Sequence, residues 1–205
     1  LDTPFDVENN RLAVANSTSL MVFDLMKRTT DGYVNILNKE STQPDEVYLS
    51  SSTTSAYVVM LDGGNLSAID LNAVDVNLGL SGRSIAHVAV NDVELAIVYE
   101  DAPTTVHFAR IGAMGSIAIK EINASAPEEQ DAVLMEWGTP VDMPNATIVD
   151  LVFDESFLAA TVNVSATDRL VVYNRSNDGQ WLASDPKYRV SDPSMYNGIL
   201  AWSTR

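Results

Sequence analysis

Between Thr147 and Arg175 the chain reads TIVDLVFDESFLAATVNVSATDRLVVYNR, three apolar runs separated by two polar breaks. The run from Thr147 to Phe153 is rich in β-branched residues and ends at Asp154-Glu155-Ser156. Phe157 to Val162 is apolar again, Val164 to Asp168 forms the second break, and Leu170 to Tyr173 is the third run. Apolar runs of four to eight residues bounded by turn formers predict strands: they are too short for helices, and β-branched side chains suit a pleated surface.

The middle run recurs. Leu12-Ala13-Val14-Ala15, Tyr57-Val58-Val59-Met60, Leu95-Ala96-Ile97-Val98, Leu158-Ala159-Ala160-Thr161 and Leu200-Ala201-Trp202-Ser203 share one pattern, at intervals of 45, 38, 63 and 42 residues. The third run recurs as LMVFDL at Leu20, LSAIDL at Leu66, TVHFA at Thr105 and LVVYN at Leu170. A weaker fourth run follows each, at Tyr33–Leu37, Val74–Leu80, Ser116–Ile122 and Trp181–Val190. Units of four strands, A to D, at roughly 40 to 50 residues are the period of a propeller blade. The long interval carries about twenty extra residues between Ile122 and Asn145.

These runs resemble the β-propeller repeat families, chiefly the WD-repeat, YVTN and PQQ-like kinds. The resemblance is carried by LMVFDL and GGNLSAIDL, where a C strand closes on an apolar-Asp pair similar to the WD or YD ending. The Gly-His signature of WD repeats is absent, as are the tryptophans that dock PQQ-like blades, so the resemblance implies an architecture and no particular member. The units fall at about 1–40, 41–82, 83–145 with an insertion at 123–145, 146–190, and a partial 191–205. Four and a half blades do not close a ring, and open ends expose strand edges. The expectation is an all-β section of a larger propeller, completed by removed sequence or by a partner. The alternative is a β-sandwich of about eighteen short strands.

Within this frame, Asp62-Gly63-Gly64-Asn65 is the strongest hairpin signal. Asn9-Asn10 predicts an A–B turn, Ser50 to Ser55 an exposed A–B loop, and Met26 to Gly32 a charged link with one helical turn. Val133-Leu134-Met135 and Trp137 predict a flap packed on the propeller.

Composition narrows the function classes. The chain has 205 residues, 46% of them apolar, enough for one buried core. No stretch approaches the ~20 apolar residues of a membrane helix. The chain opens at Leu1 without a signal peptide, so a mature or excised piece is expected. A net charge of −16, from 28 acids against 12 bases, repels phosphate backbones and anionic lipid and argues against nucleic acid as a partner. The absence of cysteine excludes disulfides and thiolate chemistry.

Six asparagines, Asn16, Asn65, Asn123, Asn145, Asn163 and Asn174, stand in N-x-S/T sequons. Fifteen asparagines would give about two or three sequons by chance at this Ser and Thr content, so the excess points to glycosylation and an extracellular, cell-surface or lumenal setting. Against this, Asn, Ser and Thr crowd into turns for conformational reasons. Asp6, Glu46, His87 and Asp150 fall near equivalent places on the A strands. A ring of such carboxylates would hold calcium through hard oxygen ligands; a hydrated channel is the plainer alternative. His107 lies on a C strand, and two histidines carry no metal motif. The run from Asp70 to Asn77 lacks the spacing, central glycine and closing glutamate of a calcium loop and predicts a C–D turn. Nucleophile, zinc and phosphate motifs are absent. The tryptophans and Tyr57, Tyr99 and Tyr173 predict core or blade-to-blade packing.

The reading is a non-enzymatic propeller module for binding protein or glycan, partnered by other chains or by the remainder of its own propeller. The second reading is part of a secreted hydrolase or lactonase-like propeller enzyme, with catalytic residues mostly outside this chain. A third is a shell or filament subunit.

Overall fold

In a computed structural model the described residues are 3–51, 56–76, 83–91, 94–113, 132–136, 141–143, 145–154, 157–175, 181–183, 187–188, 190–196 and 199–204. All regular structure among them is β. Four antiparallel meanders follow one another along the chain. The first is β1 (Phe5–Glu8), β2 (Arg11–Ala15), β3 (Ser19–Thr29) and β4 (Gly32–Glu40); the second is β5 (Glu46–Ser51), β6 (Ala56–Asp62), β7 (Asn65–Asp70) and β8 (Asp75–Val76). The third is β9 (Ile85–Asn91), β10 (Glu94–Tyr99), β11 (Thr105–Ala113) and β12 (Ala132–Glu136), with β13 (Val141–Asp142) also on β11. The fourth is β14 (Thr147–Asp154), β15 (Phe157–Val164), β16 (Thr167–Arg175) and β17 (Trp181–Ala183), with β18 (Lys187–Tyr188) also on β16. A two-stranded sheet, β19 (Val190–Tyr196) and β20 (Ile199–Thr204), ends the series. Among the described residues no helix is long and apolar enough to cross a membrane.

The chain divides into two compact units, Leu1–Ser81 with Ile111–Met135, and Gly82–Arg110 with Glu136–Arg205. In the first, β1 lies against β5, and one face of the first sheet packs on the second. Ala13, Ala15, Leu20 and Val22 bury there against Leu49, Val58, Met60 and Ile69. In the second, β9 lies against β14, and Ala89, Ala96 and Phe108 bury against Leu151, Phe153, Leu158 and Ala160. Further on, Ala159 and Leu170 bury beneath Leu200 of β20.

One rule covers the three junctions. At each, a wholly buried alanine of one sheet lies among larger side chains of the next. Ala13, Ala96 and Ala159 hold the same place in the Leu-Ala runs read from sequence, and each is 0% exposed. Sheets pack about 10 Å apart, so an alanine on one face leaves room for a leucine or phenylalanine on the other. Burying each such large side chain contributes roughly 1.5–3 kcal/mol.

Several expectations change. Met26 to Gly32 forms no helical turn: β3 continues to Thr29 and pairs with β4. A register shift between Asp24 and Arg28 absorbs the charged stretch, and Gly32, at φ 131°, closes the hairpin in a conformation open to glycine. Ser50 lies fully buried in β5 rather than in an exposed loop; residues 52–55 lie outside the described set. The fourth-strand expectation at Ser116–Ile122 also lies outside it. Val133-Leu134-Met135 belongs to β12, hydrogen-bonded to β11, and so serves as sheet rather than flap; Trp137 is outside the described residues. Asp192-Pro193 sits inside β19 at a register shift between Ser191 and Ser194, where proline's missing N–H is tolerated. Trp202 is 46% exposed rather than packed in a core.

The buried alanines make a stability prediction. Ala96→Leu forces a large side chain against Phe153 and Leu158 and should cost about 1–3 kcal/mol. Ala201 occupies the same place in β20 but is exposed, so Ala201→Leu should stay within about 0.5 kcal/mol. Thermal melts of the dilute chain check both, and an equal effect at the two positions would contradict the rule.

Candidate functional site

The acids expected to form a ring are set by strand register. Glu46 pairs with Leu61 and Asp150 with Thr161, each just before a buried row, Val47–Met60 and Leu151–Ala160. His87 pairs with Val98, just before Val88–Ile97. In β1 the matching row is Phe5–Val14, preceded by Pro4, so Asp6 lies on the other side of the row, opposite Ala13. Asp6 is thus out of step with the other three.

Its carboxylate has a different occupation. Asp6 Oδ2 accepts the Leu49 N–H at 2.7 Å, and Oδ1 accepts the Val7 N–H at 2.8 Å. Leu49 lies on β5, whose outer side has no strand hydrogen-bonded to it in the sheet. A sheet edge carries N–H groups in need of acceptors. Asp6 supplies one and ties the first sheet to the second. Burial raises the Asp6 pKa, against the two N–H donors, which favour the charged form.

Around this tie the first unit holds a cavity of about 270 Å³ lined by Thr3, Pro4, Phe5, Asp45, Glu46, Val47 and Tyr48. Asp45 Oδ2 accepts the Gly63 N–H at 2.9 Å, and the Glu46 carboxylate accepts the Tyr48 hydroxyl. Both acids are exposed, and Phe5 is 66% exposed. Carboxylates beside an aromatic face suit a cationic group and disfavour an anion.

In the second unit the Arg83 guanidinium lies over the Tyr99 ring, 3.7 Å from its centroid, and bonds Asp101 Oδ1 through Nη2 at 2.5 Å and Nε at 3.2 Å. That bond holds the Asp101 carboxyl below the usual carboxylate range. His107 meets Tyr99 edge-on at 5.1 Å. Buried Thr161, opposite Asp150, has a hydroxyl oxygen without a hydrogen-bond partner. Among the described residues no three His, Asp or Glu side chains gather to hold a metal ion. Asp70 accepts the N–H groups of Asn72 and Val74 at 2.8 and 2.9 Å, which makes the run after it the C–D turn expected.

The sequons differ in surroundings. Asn16, Asn65, Asn145 and Asn174 are exposed, and Asn123 lies outside the described residues. Asn16 Oδ1 accepts the Thr18 and Ser19 N–H groups at 2.8 and 2.9 Å, leaving its amide nitrogen outward. Asn163 is half-buried, and its amide nitrogen donates to Asp168 at 2.7 Å.

Sequence reading missed an open apolar face among the described residues. Phe5, Val14 and Met21 form one cross-strand row on the first sheet, and Val7, Leu12 and Phe23 form another. They lie on the face opposite Ala13 and Val22. Phe5 and Val7 are 66% and 48% exposed and the other four are half-buried. The alternation was readable; which face lacked a cover was not.

No family profile and no curated protein matches the sequence. Solved structures do match the fold. The N-terminal domain of Nup159 aligns at TM-score 0.50 and 11% identity over 89% of this chain and 43% of that one. AztD of Citrobacter koseri aligns at 0.48 and 12% over 87% and 45%, and Hsv2 of Kluyvelomyces marxianus at 0.42 and 13% over 89% and 60%. The chain therefore spans about half the length of the structures it matches. The likeness to the Nup159 domain, with the four-stranded sheets, shows the β-propeller fold.

The Asp6 tie has a pH signature. A raised pKa means the folded chain keeps this proton over a window in which the unfolded chain has lost it. Stability therefore falls as pH rises through that window and returns on acidification. Asp6→Asn retains a carbonyl acceptor and removes the titration. As pH drops from neutral into the carboxylate range, the melting temperature of the wild type should gain on that of Asp6→Asn. Asp6→Ala, which strands the Leu49 N–H, should cost about 1–3 kcal/mol near neutral pH, and more as the pH falls into the carboxylate range. A pH-independent gap between wild type and Asp6→Asn in melting experiments would count against the assignment.

Proposed function

We propose that this chain is a non-enzymatic β-propeller module of an extracellular or cell-surface protein, and that it works by presenting sheet faces and loops to another protein, a glycan or a structural assembly. The observation that carries the reading is the open double row on the first sheet. The equivalent rows of the second and fourth sheets, Leu49–Val58 and Phe153–Leu158, are buried beneath a neighbouring sheet. Apolar surface left in water costs about 25 cal/mol per Å², and a contiguous patch of it marks an interaction site. The net charge of −16 steers such a surface away from nucleic acid and anionic lipid.

The sequons support the external setting. Expression through a secretory pathway, followed by peptide mass spectrometry, tests it. Asn16, Asn65, Asn145 and Asn174 should carry glycan. Asn163 should remain bare, because its amide nitrogen is held by Asp168. Complete absence of glycan from natively purified protein would end the external placement. The binding part is read from capture by cross-linking, which Phe5→Ser with Val7→Ser should abolish without changing the far-UV spectrum. Catalytic turnover of esters or lactones by the purified chain would overturn the non-enzymatic part.

A further inference from the structure

Near the tip of the β3–β4 hairpin the first sheet departs from a plain ladder. Asp24 pairs with Val34 and Arg28 with Tyr33, so Leu25, Met26 and Lys27 stand on β3 between two residues adjacent on β4. A bulge of this kind re-aims side chains. The Asp24 carboxylate fixes it: Oδ1 accepts the Met26 N–H at 2.9 Å, and Oδ2 lies 3.1 Å from the Lys27 Nζ. Met26 is left 75% exposed and Tyr33 45% exposed. The Arg28 guanidinium lies over the Tyr33 ring, 5.1 Å from its centroid.

The charge count sets Arg28 apart. The chain has 28 acids for 12 bases, and Lys27, Lys39, Arg83 and Arg175 each hold a carboxylate. Arg28 is exposed, and among the described residues it meets a ring and no carboxylate. A guanidinium held on an aromatic face keeps its N–H fork available and has less freedom to lose on binding. The group that fits the fork is a carboxylate, taken by two parallel hydrogen bonds. Met and Tyr beside an Arg are side chains enriched at protein interfaces. We propose that this hairpin tip docks an acidic segment of another protein, Arg28 taking one of its carboxylates and Met26 and Tyr33 its apolar side chains. A single open guanidinium gives no track for a polyanion, and the net charge of −16 repels a long sulfated or phosphorylated polymer more than a short peptide.

The tip also lies away from the sequons of its unit. The link after β4 bonds two turns at once: the Ser41 N–H donates to Thr18 O at 2.8 Å, and the Asp45 N–H to Leu61 O at 2.9 Å. The β2–β3 turn with Asn16 and the β6–β7 turn with Asn65 therefore share one end of the unit, and the β3–β4 turn lies at the other end of its sheet. The proposal rests on the interaction-module reading and gives it a partner class, on a surface separate from the Phe5–Phe23 rows.

Fluorescence polarisation tests it, with a short labelled peptide of alternating Glu and Leu as the probe. The chain should bind this peptide, more weakly as salt rises. Arg28→Ala should weaken binding about tenfold, through loss of a charge-assisted pair. Arg28→Lys keeps the charge without the fork and should restore little of the affinity. Lys27→Ala should change it less than about twofold, since Lys27 is held by Asp24. Met26→Ser, at a position outside the strand pairing, should weaken it several-fold and gives a reading independent of charge. Failure of the chain to bind the peptide would overturn the proposal, as would equal binding of a Gln-for-Glu peptide. Equal losses at Lys27 and Arg28 would mean unspecific attraction and would also overturn it. A heparin oligosaccharide bound more tightly than the peptide, through Arg28, would put a sulfated glycan in the place of the acidic protein. None of these outcomes touches the interaction-module reading, which stands or falls on glycan occupancy and on capture dependent on Phe5 and Val7.

Discussion

The structure depends on one packing constraint, the burial of a central alanine of one sheet among the larger side chains of the next. Ala13, Ala96 and Ala159 are wholly buried, and each lies where the facing sheet brings up a leucine or phenylalanine. An alanine opposite a leucine or phenylalanine leaves that side chain room at a sheet spacing of about 10 Å. Pairing small with large fills the space at interior density. It also gives each sheet a direction, because its two faces are chemically different.

That direction explains which parts of the fold could be read from the sequence. The Leu-Ala runs at Leu12, Leu95, Leu158 and Leu200 announce the second strand of each meander, since the alanine is required by the packing. The Asp62–Asn65 hairpin was equally legible: Gly63 and Gly64 take φ of 52° and 79°, as its turn demands. The Tyr57 run misleads by one residue. In the fold Val58 and Met60, not Tyr57 and Val59, face the first sheet, and a slip of one residue exchanges the two faces of a strand. The outer strands are less legible because they follow no strict alternation; β17 and β18 are two short pieces where one run was expected. The turn at Ser165-Ala166, with φ of 52° and 62°, uses residues that do not advertise a left-handed backbone. Of the candidate sites, the sequons were plain in the sequence. The Arg83–Tyr99 stack and the Asp6 tie were not, because each joins residues through tertiary geometry with no spacing rule behind it.

The acidic composition takes on a structural meaning in the fold. With 28 acids and only 12 bases, most carboxylates have no cation to pair with. Several are answered by backbone N–H groups instead. Asp6 takes those of Val7 and Leu49, Asp45 that of Gly63, and Asp70 those of Asn72 and Val74. A meander fold has many turns and a free edge on each inner strand, and both expose donors that secondary structure leaves unmet. An ionised carboxylate is a stronger acceptor for such a donor than a neutral oxygen. Part of the negative charge is therefore spent on holding turns and edges, and is not available as a ligand set. This is why Asp6 lies out of step with Glu46, His87 and Asp150: it serves the edge of β5, and its place is dictated by Leu49.

The same division of labour separates affinity from solubility on this surface. The double row from Phe5 to Phe23 carries no ionisable side chain. Recognition by that face must come from shape and apolar area, with net charge governing only how readily a partner approaches. An acidic partner meets repulsion on the way in but no unpaired charge at the contact.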